Sequence, residues 1–163
     1  MRPSITINIE PMLQDFLYHE FGACADEGIE ISACNEIGRY IQSMITVADR
    51  PPKQEIKDNP MTIYLPVRSW NHFIFRENFI YVPEWKQEMI RSFVKASFRL
   101  KLREFFLTGY EKGFSQDQLI KSFLSAYNIK RNAISYDAVK KCDYRNRSKI
   151  IEEVKNEVQL SLF

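Results

Sequence analysis

The sequence predicts an α+β fold that is mostly α: a small N-terminal β-sheet with helices, a long central helix and a C-terminal pair of helices. Three observations lead there. Ser4–Glu10 (SITINIE) alternates, with Ile5, Ile7 and Ile9 on one side, as a half-buried strand does. From Glu84 to about Lys112 nothing stops a helix, and Pro83 suits its opening turn. Ser115–Lys149 carries apolar residues at three- and four-residue spacing, interrupted by a polar turn.

Taken in order, Pro11 ends the first strand, and Met12–Phe21 has helical spacing through Leu13, Phe16, Leu17 and Phe21, closed by Gly22. A short strand is expected over Ile29–Ser32, then Asn35 as N-cap of a helix through Ile37, Tyr40, Ile41 and Met44. A strand leading straight into a helix resembles the ribbon-helix-helix repressors, whose N-terminal strand pair reads the major groove. Their groove-facing positions would here be Ser4, Thr6 and Asn8, none of them basic. Asp49–Pro60 (DRPPKQEIKDNP) holds three prolines and no apolar period, so it reads as a loop or linker. Met61–Leu65 is a second strand, closed by Pro66 and suited to pair with the first. Trp70–Val82 (WNHFIFRENFIYV) reads as a short helix then a strand, or as a hairpin turning at Arg76-Glu77-Asn78. Its aromatics read as core.

In the long helix, Met89, Ile90, Phe93, Val94, Phe98, Leu100, Leu102, Phe105 and Phe106 cover much of the circumference, which predicts a central buried helix. Arg91, Lys95, Arg99 and Arg103 fall four apart and form a basic stripe, to which Lys101 adds a further charge. Contact with phosphates is one explanation for Arg91, Lys95 and Arg99. The plainer one is a solvated edge, or pairing with acids of the N-terminal half.

Gly109 and Gly113 lead into the helix pair. Ser115 is a good N-cap with Asp117 behind it, and Leu119, Ile120, Phe123, Leu124 and Tyr127 make one apolar face that Asn128 ends. Ser135 is read as the start of a second helix with a narrow buried stripe of Ala138, Val139 and Cys142. Its other side is left to Lys140, Lys141, Tyr144 and Arg145, followed by Arg147 and Lys149. Between Lys130 and Lys149 there are seven Lys/Arg and two Asp, a net of +5. The pair resembles a helix-turn-helix, which implies a second, recognition helix in the major groove of double-stranded DNA. DNA-binding residues on this reading are Lys130, Arg131, Lys140, Lys141, Tyr144, Arg145 and Arg147. The connection Asn128–Ser135 is longer than a standard turn, and two ordinary helices with a solvated basic face would look the same.

The 163 residues suit one domain, or one with a small appendage. With 45% hydrophobic residues and five Gly, the chain is globular and not disordered. Charge is uneven: residues 1–83 hold 7 Lys/Arg and 11 Asp/Glu, a net of −4, and residues 84–163 hold 16 and 10, a net of +6. The second half therefore suits a polyanion or an acidic partner. No membrane span or secretory h-region is read, and three cysteines without CxxC spacing read as reduced thiols, so the expected location is cytoplasmic. No enzyme is expected, and no cofactor or metal. His19-Glu20 lacks HExxH spacing, His72 stands alone, and Glu10, Asp15 and Glu20 do not form the paired arrangement that nuclease metals need. Neither a Gly-rich phosphate loop nor a GxSxG elbow occurs.

The sequence finishes on Gln159–Phe163, QLSLF. This pentapeptide resembles the motif by which bacterial polymerases and other replication proteins dock on the β sliding clamp. The resemblance implies that Gln159 anchors by its amide at the edge of the clamp pocket, Leu160 assists, and Leu162 and Phe163 fill its apolar groove. Alternatively, a helix Ser148–Val158 runs on and packs Leu160 and Leu162 inside. The chain thus divides into a mixed α/β region (1–83), a basic helical DNA-binding region (84–158) and a docking peptide (159–163). It reads as a DNA-binding accessory or regulatory protein of a phage or mobile element, tethered to the replication clamp. The rival is a non-enzymatic interaction or phage structural protein, whose basic face meets an acidic partner or a neighbouring copy in a homo-oligomer.

Overall fold

The computed structural model describes residues 2–22, 28–55 and 57–162. Phe163 of the docking peptide and the thiol of Cys24 lie outside the described residues. The chain forms two compact units, Met1–Ala96 and Ser97–Phe163. That division falls inside the long helix and not at its start, where the composition changes.

In the first unit β1 (Ser4–Asn8) leads through Pro11 into α1 (Pro11–Phe21). Proline does two things here: it cannot extend the strand, and its fixed φ suits the first helical turn. There follow β2 (Gly28–Glu30), α2 (Glu36–Ser43), β3 (Thr46–Ala48), β4 (Pro60–Tyr64), α3 (His72–Glu77), β5 (Phe79–Tyr81) and the start of α4 (Glu84–Glu111). β1 and β4 pair antiparallel with Ile7 opposite Met61, and β2 adds to β4 in parallel. Ile5, Ile7, Met61 and Ile63 are buried together with Leu13, Phe16 and Leu17 of α1 and Ile90 and Val94 of α4, as the alternation and helical spacing predict. β1 is thus committed to β4 within its own chain, and the Asn8 side chain accepts a hydrogen bond from the Lys57 amide. Asn35 caps α2 by accepting from Ile37 and Gly38. Gly38 lies so close to the Ser32 carbonyl that a Cβ would collide with it.

Trp70–Val82 takes the helix-then-strand form, with β5 pairing β3 antiparallel. The three-residue β3 was not legible as a strand, since a run that short carries no measurable period. The aromatics of this segment are not core. Trp70 is 72% exposed and Phe73 66%, and Phe79 is also exposed.

The second unit comprises the remainder of α4, α5 (Gln116–Ala126) and α6 (Ala133–Ser161). Only one face of α4 is buried, through Ile90, Val94, Phe98, Leu102 and Phe106, while Met89 and Leu100 are exposed. In this unit the Phe123 ring sits 5.6 Å from Phe98, 5.4 Å from Phe105 and 4.6 Å from Tyr127. α4 ends on Gly113 at φ 83°, with Phe114 N–H donating to the Gly109 carbonyl and Gly113 N–H to Tyr110. α5 ends the same way on Asn128 at φ 52°, with Ile129 N–H donating to Leu124 and Asn128 N–H to Ser125. Both are Schellman closures, which use a left-handed residue to satisfy the last carbonyls. Ile129 is buried as the apolar plug that accompanies such an ending.

α6 begins earlier than the sequence suggested. Asn132 is the N-cap and Ser135 the third helical residue, each side chain accepting from the other's backbone N–H. The connection between the helices is Tyr127–Asn132. No separate helix starts at Ser148, because no Gly or Pro between Ala133 and Ser161 interrupts α6. From Ile151 onward every described residue of α6 is exposed, including Leu160 at 79% and Leu162 at 75%. The alternative in which these leucines pack inside does not hold.

Candidate nucleic-acid interface

Ten side chains were singled out for DNA, and they fall into separate environments. Lys140, Lys141, Tyr144 and Arg145 stand on one side of α6. With Gln116 and Asp137 they line a groove of about 360 Å³. α5 packs its apolar face through Leu119, Ile120, Phe123 and Leu124 and so fixes the angle at which α6 is presented. A cross-link holds the front of the pair, where Tyr136 Oη donates to Asp117 at 2.6 Å and Lys121 bridges the same carboxylate at 2.8 Å. Lys121 first, then Tyr136, holds the Asp117 carboxyl below its ordinary range.

Arg147 is used differently. Asp143 is 2% exposed, and its Oδ2 accepts from Tyr110 Oη and Gln116 Nε2, each at 2.8 Å, and from Arg147 Nη2 at 2.8 Å. The Arg147 guanidinium also stacks over the Tyr110 ring at 4.5 Å and hydrogen-bonds its hydroxyl. This network ties α4, α5 and α6 together through one buried carboxylate. Burial, with Asp143 adding to it, pushes the Tyr110 phenol up to about 12.

Lys130 and Arg131 belong to the connection. Arg131 donates to the Lys121 carbonyl at 3.1 Å, and the Lys130 carbonyl accepts from Ser135 Oγ. The stripe on α4 is divided between the units, and three of its four cations meet acids. Arg91 bridges Glu84 at 2.9 Å and Glu88 at 2.6 Å and donates to the Asn8 carbonyl, while Lys95 bridges Glu10 at 3.1 Å. In the second unit burial pushes the Cys142 thiol up, with the nearby Arg99 charge opposing it, and Arg103 meets Glu153 at 3.5 Å.

Ile134, 82% exposed on the first turn of α6, escaped the sequence reading because the helix was started at Ser135. A larger cleft of about 500 Å³ lies between α4 and α5, with Phe105, Phe114, Leu119 and Tyr127 in its wall and Lys101 and Lys112 at its rim. It contains none of the ten residues expected to contact DNA. At the far end of α6, Gln159 and Leu160 are helical and exposed, and Ser161 Oγ donates to the Val158 carbonyl.

Among the described residues no group of three or more His, Cys, Asp or Glu could hold a metal ion. No helix among them is long and apolar enough to cross a membrane. No family model, curated protein or solved structure matches the chain.

Proposed function

We propose that the Ser97–Phe163 unit binds double-stranded DNA, with α5 as the packing helix and the first turns of α6 as the recognition helix. The observation that carries this is the convergence of Lys140, Lys141, Tyr144 and Arg145 with Gln116 on one groove, on a helix pair locked by capping and by Asp143. Lys140, Lys141 and Arg145 supply phosphate contacts, and Tyr144 reaches toward the duplex between them, while Gln116 stays bound to Asp143. Arg91 and Lys95 are already neutralised by acids of their own unit and take no part. The test is a titration of fluorescent duplex at two salt concentrations. Lys140→Ala combined with Lys141→Ala should weaken binding and reduce the log–log salt slope by about 2. An unchanged affinity and slope in the double variant rejects the interface.

The apolar, exposed end of α6 supports a second contact, with a protein. Its resemblance to clamp-binding peptides favours a sliding clamp as the partner of Gln159, Leu160 and Leu162, which suits a phage or mobile-element accessory factor acting beside replication. Docking in an extended form requires the last turn of α6 to unwind. Deletion of residues 159–163 should abolish capture by immobilised β clamp and leave duplex binding intact. The interaction-protein alternative draws on the same exposed residues, Ile151, Val154 and Val158 among them. An ordered oligomer that ignores DNA at low salt would favour it.

A further inference from the structure

The exposed aromatic segment of the first unit is unused by the duplex reading. Between β4 and α3 the chain turns through Pro66–Asn71, and this turn is pinned. Asn71 is buried, accepts from the Arg68 amide at 2.7 Å and donates from Nδ2 to the Pro66 carbonyl at 3.1 Å. Trp70 and Phe73 are therefore held out in water by a fixed backbone. Exposing two large aromatic rings on an ordered turn forgoes the burial that drives folding, so the position calls for an occupant.

Charge indicates which. From Met61 to Arg76 there is no Asp or Glu, and the segment carries Arg68, His72 and Arg76. His72, Phe75 and Arg76 line a cleft of about 360 Å³ with Arg2, Pro3 and Val67. Glu30 holds Arg2 at 2.6 Å, and its guanidinium also lies over the Tyr64 ring at 5.1 Å. Exposed rings on a segment that carries Arg68, His72 and Arg76, and no acid before Glu77, suit a flexible polyanion whose units carry π-faces. That is single-stranded nucleic acid, where bases stack on aromatic side chains and the backbone follows positive charge. An acidic protein would satisfy the cations but has little use for two exposed rings held on a pinned turn. Duplex DNA keeps its bases stacked on one another.

We propose that the first unit binds single-stranded nucleic acid. Trp70 and Phe73 are the stacking platform, and Arg76 and His72 take an adjoining phosphate. This does not depend on the duplex interface.

The experiment is titration of the full chain with fluorescent oligo(dT) and oligo(U), read by anisotropy and by quenching of tryptophan fluorescence. Trp70→Ala and Arg76→Ala should each weaken oligonucleotide binding by about fivefold or more. Lys140→Ala combined with Lys141→Ala should leave that binding within twofold while impairing duplex binding. Comparing the two oligonucleotides tells DNA from RNA as the natural ligand. Trp70 is exposed, so its truncation should fold; Trp70→Phe, which keeps a ring, should restore most of the affinity. No oligonucleotide binding by the unaltered protein overturns the proposal. So does binding that survives Trp70→Ala and Arg76→Ala but fails in the Lys140/Lys141 variant, which would assign it to α6. Attachment to anionic lipid vesicles through Trp70 in place of oligonucleotides overturns it as well.

Discussion

Asp143 is the residue on which the second unit's geometry turns. A carboxylate at 2% exposure is tolerated because Tyr110, Gln116 and Arg147 all donate to it. Asp143→Ala strands those donors and should cost roughly 2–4 kcal/mol, read as a lower urea midpoint; Asp143→Asn, which keeps an acceptor oxygen, should cost less. Tyr110 gives this network an alkaline signature. Its folded pKa is raised from 10.0 to about 12, so the associated stability is fully present below pH 10 and is lost as pH rises toward 12. A phenolate absorbance titration should show a tyrosine ionising late that is lost in Tyr110→Phe, and Asp143→Asn should bring it earlier. Gly109 is a second sensitive point, since a Cβ there would overlap the buried Leu119 side chain. Gly109→Ala should destabilise by about 1–3 kcal/mol in the same urea assay, because Leu119 must leave its packed position to admit the methyl. Asp143 was read from the sequence only as an acid within a basic run. Nothing local marks this aspartate as buried, because two of its three donors lie 27 and 33 residues away.

At the scale of elements, α5 and α6 owe their ends to local chemistry. The reciprocal box of Asn132 and Ser135 starts α6, and Asn132→Ala should lower stability by about 1 kcal/mol in thermal unfolding. The cap of α5 at Ser115 was legible, since it matches the S-x-x-Q pattern with Gln118. That of α6 was not: Asn132 and Ser135 both suit a cap, and only the hydrogen bonds choose between them. The two halves of α6 differ in kind. Its first turns pack through Ser135, Val139 and Asp143, whereas residues 151–162 are exposed throughout. Removing residues 159–163 should therefore leave the unfolding free energy within about 0.5 kcal/mol of the full chain. A drop of several kcal/mol would mean that the tail packs.

Across the whole molecule, the contrast between an acidic first half and a basic second half carries over to the two units, with 10 Lys/Arg and 13 Asp/Glu in Met1–Ala96 (a net of −3) and 13 and 8 in Ser97–Phe163 (a net of +5). Several charges of α4 are nonetheless paired within the first unit, where Glu84 and Glu88 bracket Arg91 and Glu10 meets Lys95. Arg91 first, then Lys57, holds the Glu84 carboxyl below its usual 4.5, and Arg91 does the same for Glu88. Depressed carboxylates stabilise the fold above their unfolded pKa, and that contribution disappears as pH falls through the folded values. Exposure and screening keep it small. Arg91→Met should accordingly flatten the acid limb of the stability–pH profile below about pH 4.5 and leave the Tyr110 limb unchanged.

Which faces are buried was determined by the sequence itself, because burial follows a short period that neighbouring residues carry together. Ile5 with Ile7, Met61 with Ile63, and Leu119, Ile120, Phe123 and Leu124 all lie where alternation and helical spacing put them. The mostly-α α+β class follows from those runs. Only the tertiary structure decided which charges and rings remain for other molecules. Arg91 and Lys140 look alike in sequence, but Arg91 is claimed by the Asn8 carbonyl 83 residues away, and Lys140 opens on a groove. Trp70 and Phe73 read as core by composition, but Asn71 pins their turn facing water. Pairing of a charge and covering of a ring are properties of residues that meet across the chain, and no local pattern encodes that meeting.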